Sequence, residues 1–120
     1  MATTRILIVD DSADFLESVT RLLAALPGVT VVGTARSGEE AIAETERLRP
    51  DLVLMDINMP GMGGLEATRR IKAHEGAPRI MLLTNHDGAE YRRAGEMAGA
   101  DSFLSKLDFT TAISAMLPRP

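Results

Sequence analysis

Four short apolar runs in this 120-residue chain lead into side chains able to do chemistry. Ile6-Leu7-Ile8-Val9 stops at Asp10-Asp11, Leu52-Val53-Leu54-Met55 at Asp56, and Ile80-Met81-Leu82-Leu83 at Thr84. A shorter run, Ser102-Phe103-Leu104, leads to Lys106. Gathered in one place, three carboxylates would raise one another's pKa unless a cation came between them. Mg²⁺ (or Mn²⁺) suits that role, because hard cations of this kind take one or two carboxylates and keep several waters. Together with Lys106 it would neutralise the three aspartates and leave a pocket open to a phosphoryl group. A carboxylate there can act as nucleophile and become an acyl phosphate. Lys106 and the metal would stabilise charge on the transferred group, with Thr84 hydrogen-bonding to it.

Taken singly, each residue also has an ordinary structural reading. Asp10-Asp11 before Ser12 can cap a helix and favour its dipole. Asp56 can form a turn, Thr84 can simply end a strand, and Lys106 can be a solvated surface charge. Four strand ends carrying the right types together are harder to explain that way.

The elements that must position these residues follow from periodicity. Ile6–Val9, Val29–Val32, Leu52–Met55, Ile80–Leu83 and Ser102–Leu104 read as strands, and four of them are almost continuously apolar, as in a sheet covered on both faces. Between them lie helical patterns. Phe15, Val19, Leu22, Leu23 and Leu26 share one face of the first; Ala41, Ile42, Thr45 and Leu48 one face of the second; Leu65, Thr68 and Ile71 one face of the third. The fourth, about Gly88 to Ala98, is weakly apolar, and Gly95 inside it costs about 1 kcal/mol against Ala. The fifth reads as short, carrying Ala112, Ile113, Met116 and Leu117. Ser37-Gly-Glu-Glu40 and Asp87-Gly-Ala-Glu90 have the form of capping boxes. Gly61-Met-Gly-Gly64 is no dinucleotide fingerprint and reads as a turn entering the third helix, with Met59 and Met62 as loop packing. His74 and His86 have no ligand spacing between them. Five strands alternating with five helices imply an α/β doubly wound, flavodoxin-like parallel sheet of order 2-1-3-4-5. The carboxyl ends of its strands then share one edge.

Composition narrows the function classes. A net charge of −4 makes the chain a poor partner for nucleic acid or an anionic membrane. The absence of cysteine excludes a disulfide scaffold, a thiolate zinc site and a Cys nucleophile. The longest stretch without charge, Leu22 to Ala35, is broken by Pro27-Gly28 and is too short to span a bilayer. Ile6–Val9 halts at two aspartates and is no signal peptide. A cytoplasmic domain over residues 1–117 is expected, with 118–120 a tail or truncated linker.

The motifs Ile-Leu-Ile-Val-Asp10-Asp11-Ser, Pro50-Asp-Leu-Val-Leu-Met-Asp56-Ile-Asn-Met-Pro60-Gly-Met-Gly-Gly-Leu, Leu-Leu-Thr84 and Gly99-Ala-Asp-Ser-Phe-Leu-Ser-Lys106 together carry a resemblance. Over almost its full length the chain resembles the receiver domain of two-component response regulators. Around Pro27-Gly28-Val-Thr-Val-Val-Gly-Thr-Ala it is most similar to receivers with a helix-turn-helix output domain. The resemblance implies Asp56 as phosphoacceptor, fed by a histidine kinase or phosphotransfer protein. It implies Mg²⁺ held by Asp11, Asp56 and the backbone carbonyl of Asn58, with Asp10 assisting through water. Thr84 would swing toward the phosphoryl group, shifting the loop after strand four and burying Phe103, the switch aromatic. A downstream partner or a removed output domain would read that change.

Some residues depart from the family pattern. Leu107 follows Lys106 where family members commonly carry a cis-linked Pro, so a trans bond is expected. Asn85 stands at a position usually small in the family, where it would narrow access to the acyl phosphate or contact it through its amide. His86 and Asn58 match positions that tune hydrolysis, and the short fifth helix argues against the usual dimer face. Three other function classes compete with this reading. A phosphatase resembling the haloacid dehalogenase group would need a second acid where Asn58 stands, and Asn has no proton to exchange near neutral pH. A constitutive binding module that never uses the phosphate is the alternative suggested by Asn85. A flavin binder finds little to stack on, with one Tyr and no Trp.

Overall fold

Side chains alternate across a strand with a period of two, so each apolar run serves two faces. The computed structural model describes residues 3–85 and 89–117. β1 (Thr4–Val9), β2 (Val29–Ala35), β3 (Leu52–Asp56), β4 (Arg79–Thr84) and β5 (Ser102–Ser105) form one parallel sheet, ordered β2-β1-β3-β4-β5 as expected. The helices are α1 (Ala13–Ala24), α2 (Gly38–Leu48), α3 (Gly64–Lys72), α4 (Ala89–Ala98) and α5 (Lys106–Met116). Leu7, Val9, Val53, Met55, Ile80, Leu82 and Phe103 pack toward α2, α3 and α4, meeting Ala41, Ala67, Ile71 and Tyr91. Their neighbours Ile6, Ile8, Leu54 and Leu83 face the other way, meeting Leu16, Val19 and Leu23 of α1 with Phe109 and Ile113 of α5. Each large side chain so buried contributes about 1.5–3 kcal/mol.

Helix starts are set by short hydroxyl side chains. Ser12 Oγ accepts from the Phe15 N–H (3.2 Å), Ser37 Oγ from that of Glu40 (3.1 Å), and Ser105 Oγ from that of Asp108 (3.0 Å). The second expected capping box begins at Asp87, which with His86 and the tail 118–120 lies outside the described residues. At the opposite edge from the strand ends, Asp101 takes the Ile80 N–H (2.8 Å) and the Lys72 ammonium (2.9 Å). Partial burial works against the Asp101 charge, yet these donors hold its carboxyl below the usual range.

Several expectations need correction. α5 is not short: it runs 11 residues from Lys106, because Ser105 caps it immediately after β5. Phe109 and Ile113 are its buried residues, whereas Met116 is exposed and Leu117 is the C-cap. Lys106 therefore opens a helix rather than ending a strand. β2 continues past Val32 to Ala35, with its register against β1 shifting between Ile6 and Leu7. Gly33 lets Leu48 of α2 approach the strand closely: a Cβ there would stand 2.7 Å from Leu48 Cδ1. In α1 the buried residue of the first turn is Leu16, and Phe15 is only half-buried. Gly95 has a purpose beyond its helix cost, since a Cβ there would press on Leu82 Cδ1 (3.1 Å) and Phe103 Cδ2 (3.4 Å). No cis peptide bond occurs among the described residues, in line with a trans Lys106-Leu107 link. Nor is any helix among them long and apolar enough to cross a membrane.

Candidate functional site

The carboxyl ends of β1 and β3, adjacent in the sheet, bring the aspartates together. Asp10 is buried, its N–H given to the Ala35 carbonyl (3.0 Å) and its Oδ1 accepting from the Ser12 N–H (2.9 Å). Asp11 is exposed, and the Arg36 guanidinium donates to its carbonyl oxygen (2.9 Å). Asp56 is buried, with Oδ1 accepting from the Asn58 N–H (3.1 Å). Just beyond, the Ile57 N–H bonds to the Leu83 carbonyl (2.8 Å), extending the β3–β4 ladder one step past the carboxylate. One oxygen from each of Asp10, Asp11 and Asp56 lies within 4.8 Å of the others.

Lys106 reaches over this cluster from the first position of α5. Its Nζ stands 2.6 Å from Asp10 Oδ2 and 3.6 Å from Asp56 Oδ2. The Asp10 contact is an ion pair without hydrogen-bond geometry, and Asp10 Oδ2 has no hydrogen-bond partner among the described residues. The same ammonium lies 4.5 Å from the centroid of the Phe15 ring. Burial pushes the Asp56 carboxyl above its usual range; the Asn58 N–H opposes this, the Asp10 charge adds to it, Lys106 opposes and Asp11 adds. The result is a buried carboxylate held in an acidic cluster that one lysine only partly balances. The three clustered carboxylates, hard oxygen donors with one oxygen each within 4.8 Å of the others, fit a divalent cation of the Mg²⁺ kind.

Thr84 is fully buried at the end of β4, one residue past the Asp56–Leu83 pair and opposite Ser105 of β5. Asn85 follows it, exposed, and Asn58 is exposed as well. His86 falls outside the described residues, and His74 lies exposed at the far edge of the sheet. Phe103 is not at the cluster. It sits 7% exposed beneath α4, with the Arg92 guanidinium 5.5 Å from its ring. In this structure the ring is already largely buried, and Gly95 leaves room for it beneath α4.

The structural readings of single residues also hold in part. Ser12 caps α1 with Asp10 bracing it, and Met59 and Met62 pack on the core as expected. Three features escape the sequence reading. Phe15 reads as core and does pack there, but nothing in the sequence shows its contact with Lys106; Arg36 lies in no motif, and Gly64 reads as one more turn glycine. The paired Gly63-Gly64 was the available signal for the last. Gly64 packs against the Asp56 carbonyl so closely that a Cβ would lie 2.2 Å from its oxygen.

Known proteins share this arrangement of chain. The family model for the response regulator receiver domain matches residues 6–116. Response regulator GacA of Pseudomonas viridiflava is 39% identical over 102 residues, covering 85% of this chain and 48% of GacA. A protein-glutamate methylesterase/protein-glutamine glutaminase of Geobacter metallireducens is 49% identical over 86 residues, covering 72% of this chain and 25% of that protein. The chain thus spans half or less of these curated relatives. Among solved structures, the NarL signal receiver domain of Mycobacterium tuberculosis superposes with a TM-score of 0.89 at 31% identity, covering 96% of this chain and 93% of that one. A LuxR-family two-component response regulator from Aurantimonas sp. SI85-9A1 gives 0.85 at 37% identity, covering 95% and 84%.

Proposed function

The chain belongs to the response regulator receiver domain family of two-component signalling, and from that premise we propose that Asp56 is its phosphoacceptor. The observation that carries this reading is the Asp10, Asp11, Asp56 cluster with the Lys106 ammonium set between two of its members.

The donor is the phosphohistidine of a histidine kinase or phosphotransfer protein. An Asp56 carboxylate oxygen attacks phosphorus in line with the departing imidazole. The new P–O bond forms as the P–N bond breaks, and the imidazole keeps the electron pair and takes up a proton. The product is an acyl phosphate, which water later hydrolyses to return the carboxylate. Lys106 Nζ, 3.6 Å from Asp56 Oδ2, reaches a phosphoryl oxygen carried there and offsets its charge. Thr84, next to the Asp56–Leu83 pair, donates its hydroxyl to the same group. Asp10, Asp11, Asp56 and the Asn58 carbonyl would hold Mg²⁺ or Mn²⁺, which when bound supplies further charge neutralisation to the phosphoryl oxygens. The chain's own chemistry is confined to gaining and losing this phosphoryl group. Recruitment of Thr84 biases two pre-existing states, and a partner or an output domain elsewhere in a longer regulator reads the difference. The setting is the cytoplasm.

The test is intact-protein mass after incubation with a small acyl-phosphate donor, with and without Mg²⁺. One added phosphoryl group is expected, dependent on Mg²⁺ and absent in Asp56→Asn. No adduct, together with no amide shifts near Thr84 or Phe103 on beryllofluoride titration, would overturn the reading.

A further inference from the structure

Phe15 has a contact beyond its place in α1. Leu16, Val19 and Leu23 are the fully buried residues of that helix, while Phe15 packs at the rim of the same cluster, partly buried. Its ring also meets the Lys106 ammonium, with Nζ 4.5 Å from the centroid, inside the range over which a cation is drawn to a π face. The Lys106 side chain is only 14% exposed, so water screens this contact less than it would on an open surface.

We propose that Phe15 is a positioning residue for phosphoryl transfer, its ring forming the third wall of a slot in which Asp10 and Asp56 hold Lys106. This inference rests on the phosphoacceptor reading of Asp56. A lysine stem is long and flexible, so the ammonium needs a fixed place from which to meet the incoming group. A third carboxylate would supply that place at the cost of more negative charge in a site that must accept a phosphoryl dianion. The ring attracts the ammonium through its quadrupole and adds no net charge. Phe15 touches no reacting atom and acts only through the lysine.

The test compares Phe15→Leu, which keeps apolar bulk without a π face, with Phe15→Tyr, which restores one. Three quantities are read: the rate of phosphorylation by a small acyl phosphate at saturating Mg²⁺, the Mg²⁺ affinity, and the proton shifts of the Lys106 ε-methylene. Leu is expected to slow phosphorylation about three- to tenfold, with Tyr near wild type. Mg²⁺ affinity should stay unchanged in both. The ε-methylene protons, shielded by the ring in wild type and Tyr, should move downfield in Leu. Wild-type rates in Leu, equal losses in Leu and Tyr, or a parallel loss of Mg²⁺ affinity would each overturn the proposal in favour of simple packing. If wild type takes up no phosphoryl group, the phosphoacceptor reading fails instead. The ε-methylene shifts then still decide whether the ring holds the ammonium.

Discussion

Gly64 opens α3 directly against the main chain of the proposed phosphoacceptor, and Gly64→Ala tests how tightly that junction is drawn. An added Cβ would stand 2.2 Å from the Asp56 carbonyl oxygen and 3.0 Å from both its carbonyl carbon and Ile57 Cα. Non-bonded heavy atoms are comfortable from about 3.5 Å, so the contact must open by about 1 Å. The obstacles are backbone atoms that cannot rotate away, and the Gly64 N–H to Ile57 carbonyl bond (3.2 Å) resists the separation. Overpacking of this kind costs about 1–3 kcal/mol. Reduced freedom of the unfolded chain offsets up to about 1 kcal/mol of it. A net loss near ~1–2 kcal/mol lowers the urea midpoint by roughly 1 M at the slope usual for small domains. A displacement of about 1 Å at the nucleophile slows phosphorylation by up to ~10²-fold. Gly28→Ala is the control: its φ of 83° strains any side chain, but nothing lies within 4 Å of the new Cβ. It should lose about 1–2 kcal/mol of stability and keep the wild-type rate. Wild-type stability and rate in Gly64→Ala, or equal loss of rate in the two variants, would refute the reasoning.

Other expectations concern charge and metal. Because burial raises the Asp56 carboxyl, its contribution to stability is fully present below the unfolded pKa and is lost as pH rises through the folded one. In metal-free buffer Asp56→Asn should therefore have the higher urea midpoint at pH 7, with the gap closing as pH falls through the raised pKa. Mg²⁺ at ten times its Kd should stabilise wild type by about 1.4 kcal/mol, an effect a chelator reverses and thermal melting reads. Asp101 has the opposite sign: its lowered carboxyl stabilises above the unfolded pKa, and that support disappears as pH falls through the folded value. Asp101→Ala should cost about 1 kcal/mol near neutral pH, chiefly by leaving the Ile80 N–H unpaired. Its urea midpoint should converge with that of wild type in acid.

The architecture could be read from the sequence because apolar runs punctuated by caps at Ser12 and Ser37 admit few topologies, and a parallel sheet gathers its strand ends by necessity. The grouping of Asp10, Asp11, Asp56 and Lys106 followed from that alone. What escaped were features without periodicity. Phe15 and Leu16 are adjacent and apolar, and no helical repeat says which of the two lies deeper in the core or that Phe15 also meets Lys106, far along the chain. α5 reads as short because Leu107 and Phe109 in its first turn fall two apart, off a helical repeat, leaving only the Ser105 cap to mark the start. From the sequence Gly95 reads only as a helix penalty and Gly64 only as part of a turn. Their value lies in what a Cβ would strike, and that exists only once α3 and α4 are docked.

The slightness of the α4 contact bears on how the fold breathes. Its buried residues are Gly95 and Ala98, whereas α1 is fastened by Leu16, Val19 and Leu23. Lifting α4 from the sheet uncovers little apolar surface of its own, so its amides should exchange with deuterium through small local openings while those of α1 wait for much larger ones. The helix that follows Thr84 in the chain is thus held by smaller buried side chains than α1, so under the proposed role of that threonine a modest bias there would act on the more lightly held of the two.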